Sequence, residues 1–218
     1  MGGYFGGIMN YFHSYIDELK LVLDNLSEDV FEQVLDILHK ARMDNQQVFI
    51  LGNGGSASTA SHFVCDLGKN TRVQGAPNFR VMGLTDNIIL FSALANDEGY
   101  ENVFAEQLAN YLQPDDVVIG ISTSGNSQNV INAIQFAKSV GAKTIGFTGF
   151  NSGKLGPLAD VDLHVSSHSI EHVEDVHLVL EHLITKGLRE KAIKIIMKDS
   201  SLAIMVDVTQ EGEKSSLD

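Results

Sequence analysis

Two short apolar segments, each leading straight into a loop of small residues, limit the folds open to this chain of 218 residues. Residues 48–51 are followed by Gly52-Asn53-Gly54-Gly55-Ser56, and residues 117–121 by Ser122-Thr123-Ser124-Gly125-Asn126-Ser127. A short run without polar residues is typical of a strand that is buried on both faces of a sheet. A helical segment follows each loop, so the sequence predicts strand–loop–helix units and a mainly parallel sheet.

Three further strands are predicted at residues 79–83, 143–147 and 162–165. Before the first strand, apolar residues recur at spacings of three and four, which predicts a pair of helices within residues 1–45. We therefore expect an α/β fold, a three-layer αβα sandwich with a five-stranded parallel, flavodoxin-like sheet, preceded by these two helices. Ligands of such sheets bind beyond the carboxyl ends of the strands, at the switch point.

The pattern fits one domain over residues 1–198, followed by a polar tail at 199–218 for which disorder is one expectation. The chain has 15 Lys and Arg residues against 28 Asp and Glu residues, a net charge of -13, which argues against direct nucleic-acid binding. No apolar run has the length of a membrane span, and the single cysteine excludes an intrachain disulfide. These features predict a cytoplasmic protein that does not bind membranes.

Both loops have the chemistry of a phosphate site, because small residues expose backbone N–H groups and a helix N-terminus adds partial positive charge. The second loop adds four hydroxyl groups, from Ser122, Thr123, Ser124 and Ser127, that can donate to phosphate oxygens. Ordinary turn and capping chemistry is the alternative, but the number of hydroxyls favours phosphate binding. A partial match of the first loop to the dinucleotide fingerprint lacks the acidic residue expected about 20 positions later.

A second group of residues has the chemistry of a metal site. His62 and Asp66 are four residues apart on the helix after the first loop and so share one face. The long C-terminal helix carries further candidates, Glu174, Asp175, His177, Glu181 and His182. Of these, Glu174 and His182 are eight residues apart and could reach the same region. Together the four would form a nitrogen and oxygen site of the kind that zinc accepts. Exposed helix residues that bind nothing are the alternative, and Cys65, beside this group, is predicted to be a small core residue.

These residues resemble the sugar isomerase (SIS) domain family and, within it, the phosphoheptose isomerases. The resemblance covers roughly residues 8–190. The matching segments are, in the family's order, Gly52-Asn53-Gly54-Gly55-Ser56-Ala57, His62-Phe63, Ala95-Asn96-Asp97, Gly120-Ile121-Ser122-Thr123-Ser124-Gly125-Asn126-Ser127 and residues 173–182. The resemblance implies a five-stranded αβα sandwich, a phosphorylated sugar as substrate, and a homo-oligomer, a tetramer, with active sites between subunits.

Carried over by position, the resemblance also implies site residues. Sugar contacts would come from Asn53, Gly54, Gly55, Asn96 and Asp97, and phosphate contacts from Ser122, Thr123, Ser124 and Ser127. One zinc ion (Zn2+) per subunit would be held by His62, Asp66, Glu174 and His182. Asp66 stands where the family has a glutamate that binds metal and acts as the base, and Glu174 stands where it has a glutamine. Both would also contact the substrate, with Asp66 as catalytic base and His182 as its partner acid.

The resemblance predicts a zinc-dependent aldose–ketose isomerase that converts sedoheptulose 7-phosphate to glycero-manno-heptose 7-phosphate through an enediol. Two alternatives stay open at this point. One is an isomerase of another sugar phosphate, and the other is a non-catalytic SIS-domain regulator that binds a replication initiator protein. The changed residues Asp66 and Glu174 favour the regulator. The retained His62 and His182 favour the enzyme, because a scaffold has no need of a complete set of ligands.

Overall fold

The structure is a computed structural model that describes residues 4–214, with side chains described over residues 10–197. The helices are α1 (Tyr4–Asp24), α2 (Glu28–Met43), α3 (Gly55–Cys65), α4 (Ile88–Asp97), α5 (Val103–Ala109), α6 (Gln128–Val140), α7 (Leu155–Leu158) and α8 (Ile170–Lys214). The strands are β1 (Gln47–Gly52), β2 (Arg80–Gly83), β3 (Val117–Ser122), β4 (Lys143–Thr148) and β5 (Val161–His164). A π-helical turn (Asp66–Asn70) directly follows α3, and a 3-10 turn (Tyr100–Asn102) precedes α5.

All five strands are parallel, in the order β2-β1-β3-β4-β5. This is the flavodoxin-like sheet that the sequence predicts, and two helices precede β1 as expected. Chain order reverses between β1 and β3, which is the switch point of the sheet. Gly52 at the end of β1 pairs in register with Ile121 of β3, so the two loops of small residues leave the sheet side by side.

Helices cover both faces of the sheet. On one face α2, α3 and α8 pack together, with Leu38, Phe63 and Leu180 among their buried residues. On the other face lie α5 and α6, with Phe104 and Ile134 in the core. All six residues of β3 are buried, which is the environment that its apolar sequence predicts. The short helices α5 and α7 are not among the sequence predictions.

The first and last described helices are α1 and α8. The inner side of α1 packs Leu19, Val22 and Leu23 against the core. The last helix, α8, runs to Lys214 and so contains most of the segment 199–218 that the sequence treats as a separate tail, while residues 215–218 lie outside the described residues. None of the described helices combines the length and the apolar character that crossing a membrane requires.

Candidate active site

The first loop forms a tight turn between β1 and α3 at the carboxyl edge of the sheet. Gly54 is the N-cap residue of α3, with φ of 54° and ψ of -121°, a conformation that residues with a Cβ atom rarely adopt. A Cβ atom on Gly52 would lie 2.8 Å from the backbone of Ser56. The two glycines thus allow α3 to begin immediately after the strand, with its N-terminus at the edge where ligands bind.

The second loop, residues 122–127, joins β3 to α6 and is called the serine loop below. Ser122 is buried, Thr123 and Ser127 are half-buried, and Ser124 is exposed. Ser127 is the N-cap residue of α6, yet its side chain makes no capping hydrogen bond. Its Oγ instead accepts a hydrogen bond from the Ser122 hydroxyl at 3.2 Å. The N-terminus of α6 therefore stays open to an anion.

Backbone contacts with residues 149–155 hold the serine loop in place. The carbonyl oxygen of Gly125 accepts hydrogen bonds from two N–H groups of this segment, and that of Thr123 from a third, all at 2.9 Å. Gly125 has a φ of 65°, and a Cβ atom there would overlap the carbonyl oxygen of Ser152. The loop is thus preorganised, so an anion that binds to it would lose little free energy to ordering the loop.

Asn53 of the first loop is hydrogen-bonded to α6, the helix that follows the serine loop. Its side-chain amide exchanges two hydrogen bonds with that of Asn129, at 2.8 and 2.9 Å, and its Oδ1 accepts a third from the Tyr100 hydroxyl at 2.9 Å. Beside Asn53 lies a cleft of about 270 Å³. Its lining is formed by Gly52, Asn53, Gly54, Ala57, Thr85, Ile88, Phe91 and Tyr100. Asn96 and Asp97 lie exposed at the end of α4 and are not among the described residues that line this cleft.

Four side chains converge between α3, its π-helical turn and α8, and they are called the His–carboxylate cluster below. The ligand atoms of His62, Asp66, Glu181 and His182 all lie within 4.8 Å of one another. His62 stands between two carboxylates, with Nε2 3.8 Å from Asp66 Oδ1 and Nδ1 3.9 Å from Glu181 Oε2. The structure thus brings together three of the four predicted metal ligands, and the fourth member is Glu181, a candidate residue of the long helix that is outside the predicted ligand set.

Asp66 is held in one orientation by its neighbours. It is the first residue of the π-helical turn and is 6% exposed. The side-chain amide of Asn70, at the end of the same turn, donates a hydrogen bond of 2.6 Å to Asp66 Oδ1. π-helical turns of this kind occur frequently at functional sites. The bond to Asn70 fixes one oxygen of the carboxylate and therefore the direction of the other.

Glu181 is completely buried, and neither of its carboxylate oxygens has a hydrogen-bond partner among the described residues. Burial, with the negative charge of Asp66 as a smaller cause, raises the pKa of Glu181 to about 8. Glu181 is one of the candidates that the sequence indicates on the long helix, but it is outside the predicted ligand set because it adjoins His182. Neighbours in a helix point about 100° apart, so helical spacing provides no reason to group the two.

Glu174 and Cys65 lie in environments other than those that the sequence predicts. Glu174 is half-buried, and its carboxylate lies over Gly55, where an added Cβ atom would be 2.5 Å from Glu174 Oε1. It therefore sits at the N-terminus of α3, where the helix dipole favours a negative charge, and outside the group of converging ligand atoms. Cys65 is exposed and is not the core residue that the sequence predicts.

The donor set of the His–carboxylate cluster fits a divalent metal ion. Two imidazoles and two carboxylates are ligands that zinc and related metals accept. The unpartnered oxygens of Glu181 are the observation that a bound cation would explain, because a buried carboxylate without a partner is unfavourable. The same groups also place a carboxylate base beside two imidazoles, which is a suitable arrangement for proton transfer.

Comparison with known proteins identifies a family for this arrangement. Residues 10–149 match the family model described as the SIS domain. A probable phosphoheptose isomerase of Thermoplasma acidophilum is 37% identical over 177 residues, which cover 81% of this chain and 97% of that protein. The phosphoheptose isomerase of Aliarcobacter butzleri is 36% identical over 179 residues, which cover 81% of this chain and 93% of the relative.

Solved structures agree with the sequence matches. The structure of the phosphoheptose isomerase from Neisseria gonorrhoeae superposes with a TM-score of 0.78 at 25% identity and covers 84% of this chain and 99% of that one. The chain therefore belongs to the SIS domain family, and it is an isomerase of the branch that contains the phosphoheptose isomerases.

Proposed function

We propose that this isomerase interconverts sedoheptulose 7-phosphate and glycero-manno-heptose 7-phosphate, with one zinc ion per subunit. The observation that carries the proposal is the pairing of two sites on adjacent units of the fold. A neutral loop suited to a phosphate follows β3, and the residues suited to proton transfer lie where the helix after neighbouring β1 meets α8. A phosphorylated sugar has both of the groups that such a pair of sites would recognise.

The serine loop would hold the phosphate. Hydroxyl groups of Ser122, Thr123, Ser124 and Ser127 and the N-terminus of α6 can all donate hydrogen bonds to phosphate oxygens. This binding energy, gained far from the reacting carbons, would position the sugar for the chemical step. Sugar hydroxyls would contact Asn53, Gly54, Gly55, Asn96 and Asp97, and the Glu174 carboxylate over Gly55 could accept a hydrogen bond from one of them.

Asp66 would act as the base and His182 as its partner acid. Asp66 removes a proton from C1 of the ketose while His182 donates a proton to the oxygen of the C2 carbonyl, which gives the 1,2-enediol. The O1 hydroxyl then loses its proton as a proton returns to C2, which gives the aldose. No atoms are gained or lost overall. The hydrogen bond from Asn70 to Asp66 would keep the base aligned through both steps.

His62, Asp66 and His182 are the three proposed zinc ligands that the geometry brings together. A bound zinc ion would polarise the sugar carbonyl and favour its enediolate form. His62 lies between Asp66 and Glu181, so each of its two nitrogens faces a carboxylate.

Exposed apolar side chains support a homotetramer. Tyr11 and Phe12 on α1 are 72% and 62% exposed, and Leu183 on α8 is 44% exposed directly after His182. Apolar surface of this kind is typical of protein interfaces. Sedimentation velocity would test the proposal. A species near four times the 23.7 kDa chain mass is expected, and a monomer at micromolar concentration would contradict it.

Steady-state kinetics would test the substrate. Ketose phosphates with five, six and seven carbons would be compared, each with chelator-treated protein and with zinc restored. We expect the highest kcat/KM with sedoheptulose 7-phosphate, and a loss of at least about 100-fold on chelation that zinc reverses. Higher kcat/KM with a shorter ketose phosphate would overturn the substrate, and full activity after complete metal removal would overturn the zinc dependence.

A further inference from the structure

Glu181 is an unusual residue for its position. It is 0% exposed, it lies on α8 within the core-facing side of that helix, and both of its carboxylate oxygens lack a hydrogen-bond partner among the described residues. Within the described part of the chain, the one basic side chain within 4.0 Å of it is His62, at 3.9 Å, and no lysine or arginine lies as close. Asp66, a second carboxylate, belongs to the same cluster. Two acidic groups thus converge where the described residues provide no lysine or arginine partner.

A purely structural role does not account for this arrangement. An ionised carboxylate at this position has lost its water and faces a like charge, which is unfavourable. A protonated carboxyl group would avoid the repulsion, but its hydroxyl and carbonyl oxygen would still lack hydrogen bonds. An apolar side chain of similar size would fill the same space without charge repulsion and without unmade hydrogen bonds. The carboxyl group therefore lacks a partner among the described residues, and a bound cation would provide one.

We propose that Glu181 is a direct ligand of the metal ion, together with His62, Asp66 and His182, and that Glu174 lies outside the metal's ligand shell. The ligand atoms of these four residues already lie within 4.8 Å of one another, as four ligands around one ion require. Two carboxylates and a divalent cation also sum to zero charge, which suits a site whose carboxylates are both buried. The inference rests on the proposed metal site but not on the identity of the sugar.

The placement of Glu174 supports this assignment. Its carboxylate lies over Gly55 at the N-terminus of α3, which already provides a favourable electrostatic environment. Glu174 is also half-buried, so that water can solvate it. Glu181 lies at no helix N-terminus and is not exposed to water. Of Glu174 and Glu181, it is therefore Glu181 that needs a metal ion.

Metal binding by the full-length protein would test the proposal directly. Calorimetric titration of chelator-treated protein with zinc would be compared for wild type, Glu181→Leu, Glu174→Leu and Glu190→Leu, at an exposed residue of α8 that serves as the control for the loss of one carboxylate. Leucine has no atom that can bind the ion, whereas a glutamine could still bind through its amide oxygen. We expect one zinc per wild-type chain and at least a roughly tenfold loss of affinity in Glu181→Leu. Glu174→Leu and Glu190→Leu are expected to stay within about threefold of wild type. Unchanged affinity in Glu181→Leu, or a larger loss in Glu174→Leu, would overturn the assignment.

Cobalt spectroscopy provides a readout that does not depend on affinity or activity. The visible d–d bands of Co²⁺ report the ligands of the ion, so they should shift in Glu181→Leu and remain unchanged in Glu174→Leu and Glu190→Leu. Identical bands in wild type and Glu181→Leu would contradict the proposal. If Glu181→Leu does not fold, Glu181→Ala replaces it, and the same zinc concentration should raise the melting temperature of wild type by more than that of this variant. An equal rise in both would contradict the proposal.

The outcomes separate this inference from the proposed function. A wild-type protein that binds zinc through Glu181 but converts no ketose phosphate would support the ligand assignment and refute the isomerase substrate. A protein that isomerises sedoheptulose 7-phosphate without binding a divalent metal would support the proposed substrate and refute the ligand assignment.

Discussion

The serine loop after β3 is one continuous, neutral segment, whereas the His–carboxylate cluster joins charged residues of α3, its π-helical turn and α8. Hydrogen bonds from residues 149–155 satisfy the backbone of the loop. In the cluster, the buried Glu181 has no hydrogen-bond partner among the described residues. The loop is therefore complete without its ligand, while the cluster is electrostatically incomplete. This difference suggests that the loop contributes binding and the cluster contributes chemistry, and it can be tested by substitutions in each region.

The largest effect is expected from Asp66→Asn. The amide keeps the shape of the side chain but cannot accept the proton from the sugar, so kcat should fall by about 10²- to 10⁴-fold. Asp115→Asn is a suitable control, because Asp115 is exposed and precedes the opposite end of β3. KM should change little in both variants, since the serine loop is intact. A large rise in KM with unchanged kcat for Asp66→Asn would contradict the division of roles.

The next effect is expected in the serine loop, from Thr123→Val. This substitution keeps the side-chain shape and removes a hydroxyl proposed to bind phosphate. A hydrogen bond to a charged group contributes about 1.5–3 kcal/mol, so KM should rise about 10- to 100-fold with a similar kcat. Ser139→Ala, near the C-terminus of α6, should leave KM and kcat unchanged. A fall in kcat at constant KM would show that the loop contributes to the chemical step.

The two regions also lead to opposite predictions for stability. In metal-free protein, Glu181→Leu should raise the free energy of unfolding by about 1–4 kcal/mol, because it removes an unpaired buried carboxyl group. Gly125→Ala should lower it by about 1–3 kcal/mol, because φ at that position is 65° and the added methyl group overlaps Ser152. Urea unfolding would measure both. A less stable Glu181→Leu protein would show that the wild-type carboxyl group has a partner within the protein.

The smallest effect is expected from Tyr100→Phe, beside the first loop. The variant loses one hydrogen bond to Asn53, which contributes about 0.5–1.5 kcal/mol. A two- to tenfold rise in KM is expected if this bond positions Asn53 for the sugar, at about 1.4 kcal/mol for each tenfold. Tyr111→Phe, another exposed tyrosine, is the matched control. Equal KM values for Tyr100→Phe and Tyr111→Phe would contradict the proposed contact between Asn53 and the sugar.

The same comparison explains what sequence analysis could predict. The sheet, its order and the serine loop depend on contiguous patterns: apolar strands, loops of small residues and the helices that follow. The short helices α5 and α7 contain too few turns for a periodic signal to stand out. His62 and Asp66 could be paired because they lie four residues apart on one helix.

Glu181 could not be predicted in the same way. Its relation to His62 and Asp66 arises from the packing of α8 against α3, which no local pattern describes. Glu174 has the spacing that a shared site with His182 would require, yet its carboxylate turns toward Gly55. Spacing along a helix thus indicates which side chains can meet, whereas burial and the available partners decide which of them do.

Isomerisation in heavy water tests the central claim most directly. Protein with and without added zinc would be incubated with sedoheptulose 7-phosphate, and aldose formation and deuterium at the sugar carbons would be followed by NMR. Proton transfer by the His–carboxylate cluster predicts zinc-dependent aldose that carries solvent deuterium. Zinc-loaded, folded protein that produces neither the aldose nor deuterated sugar would contradict the account.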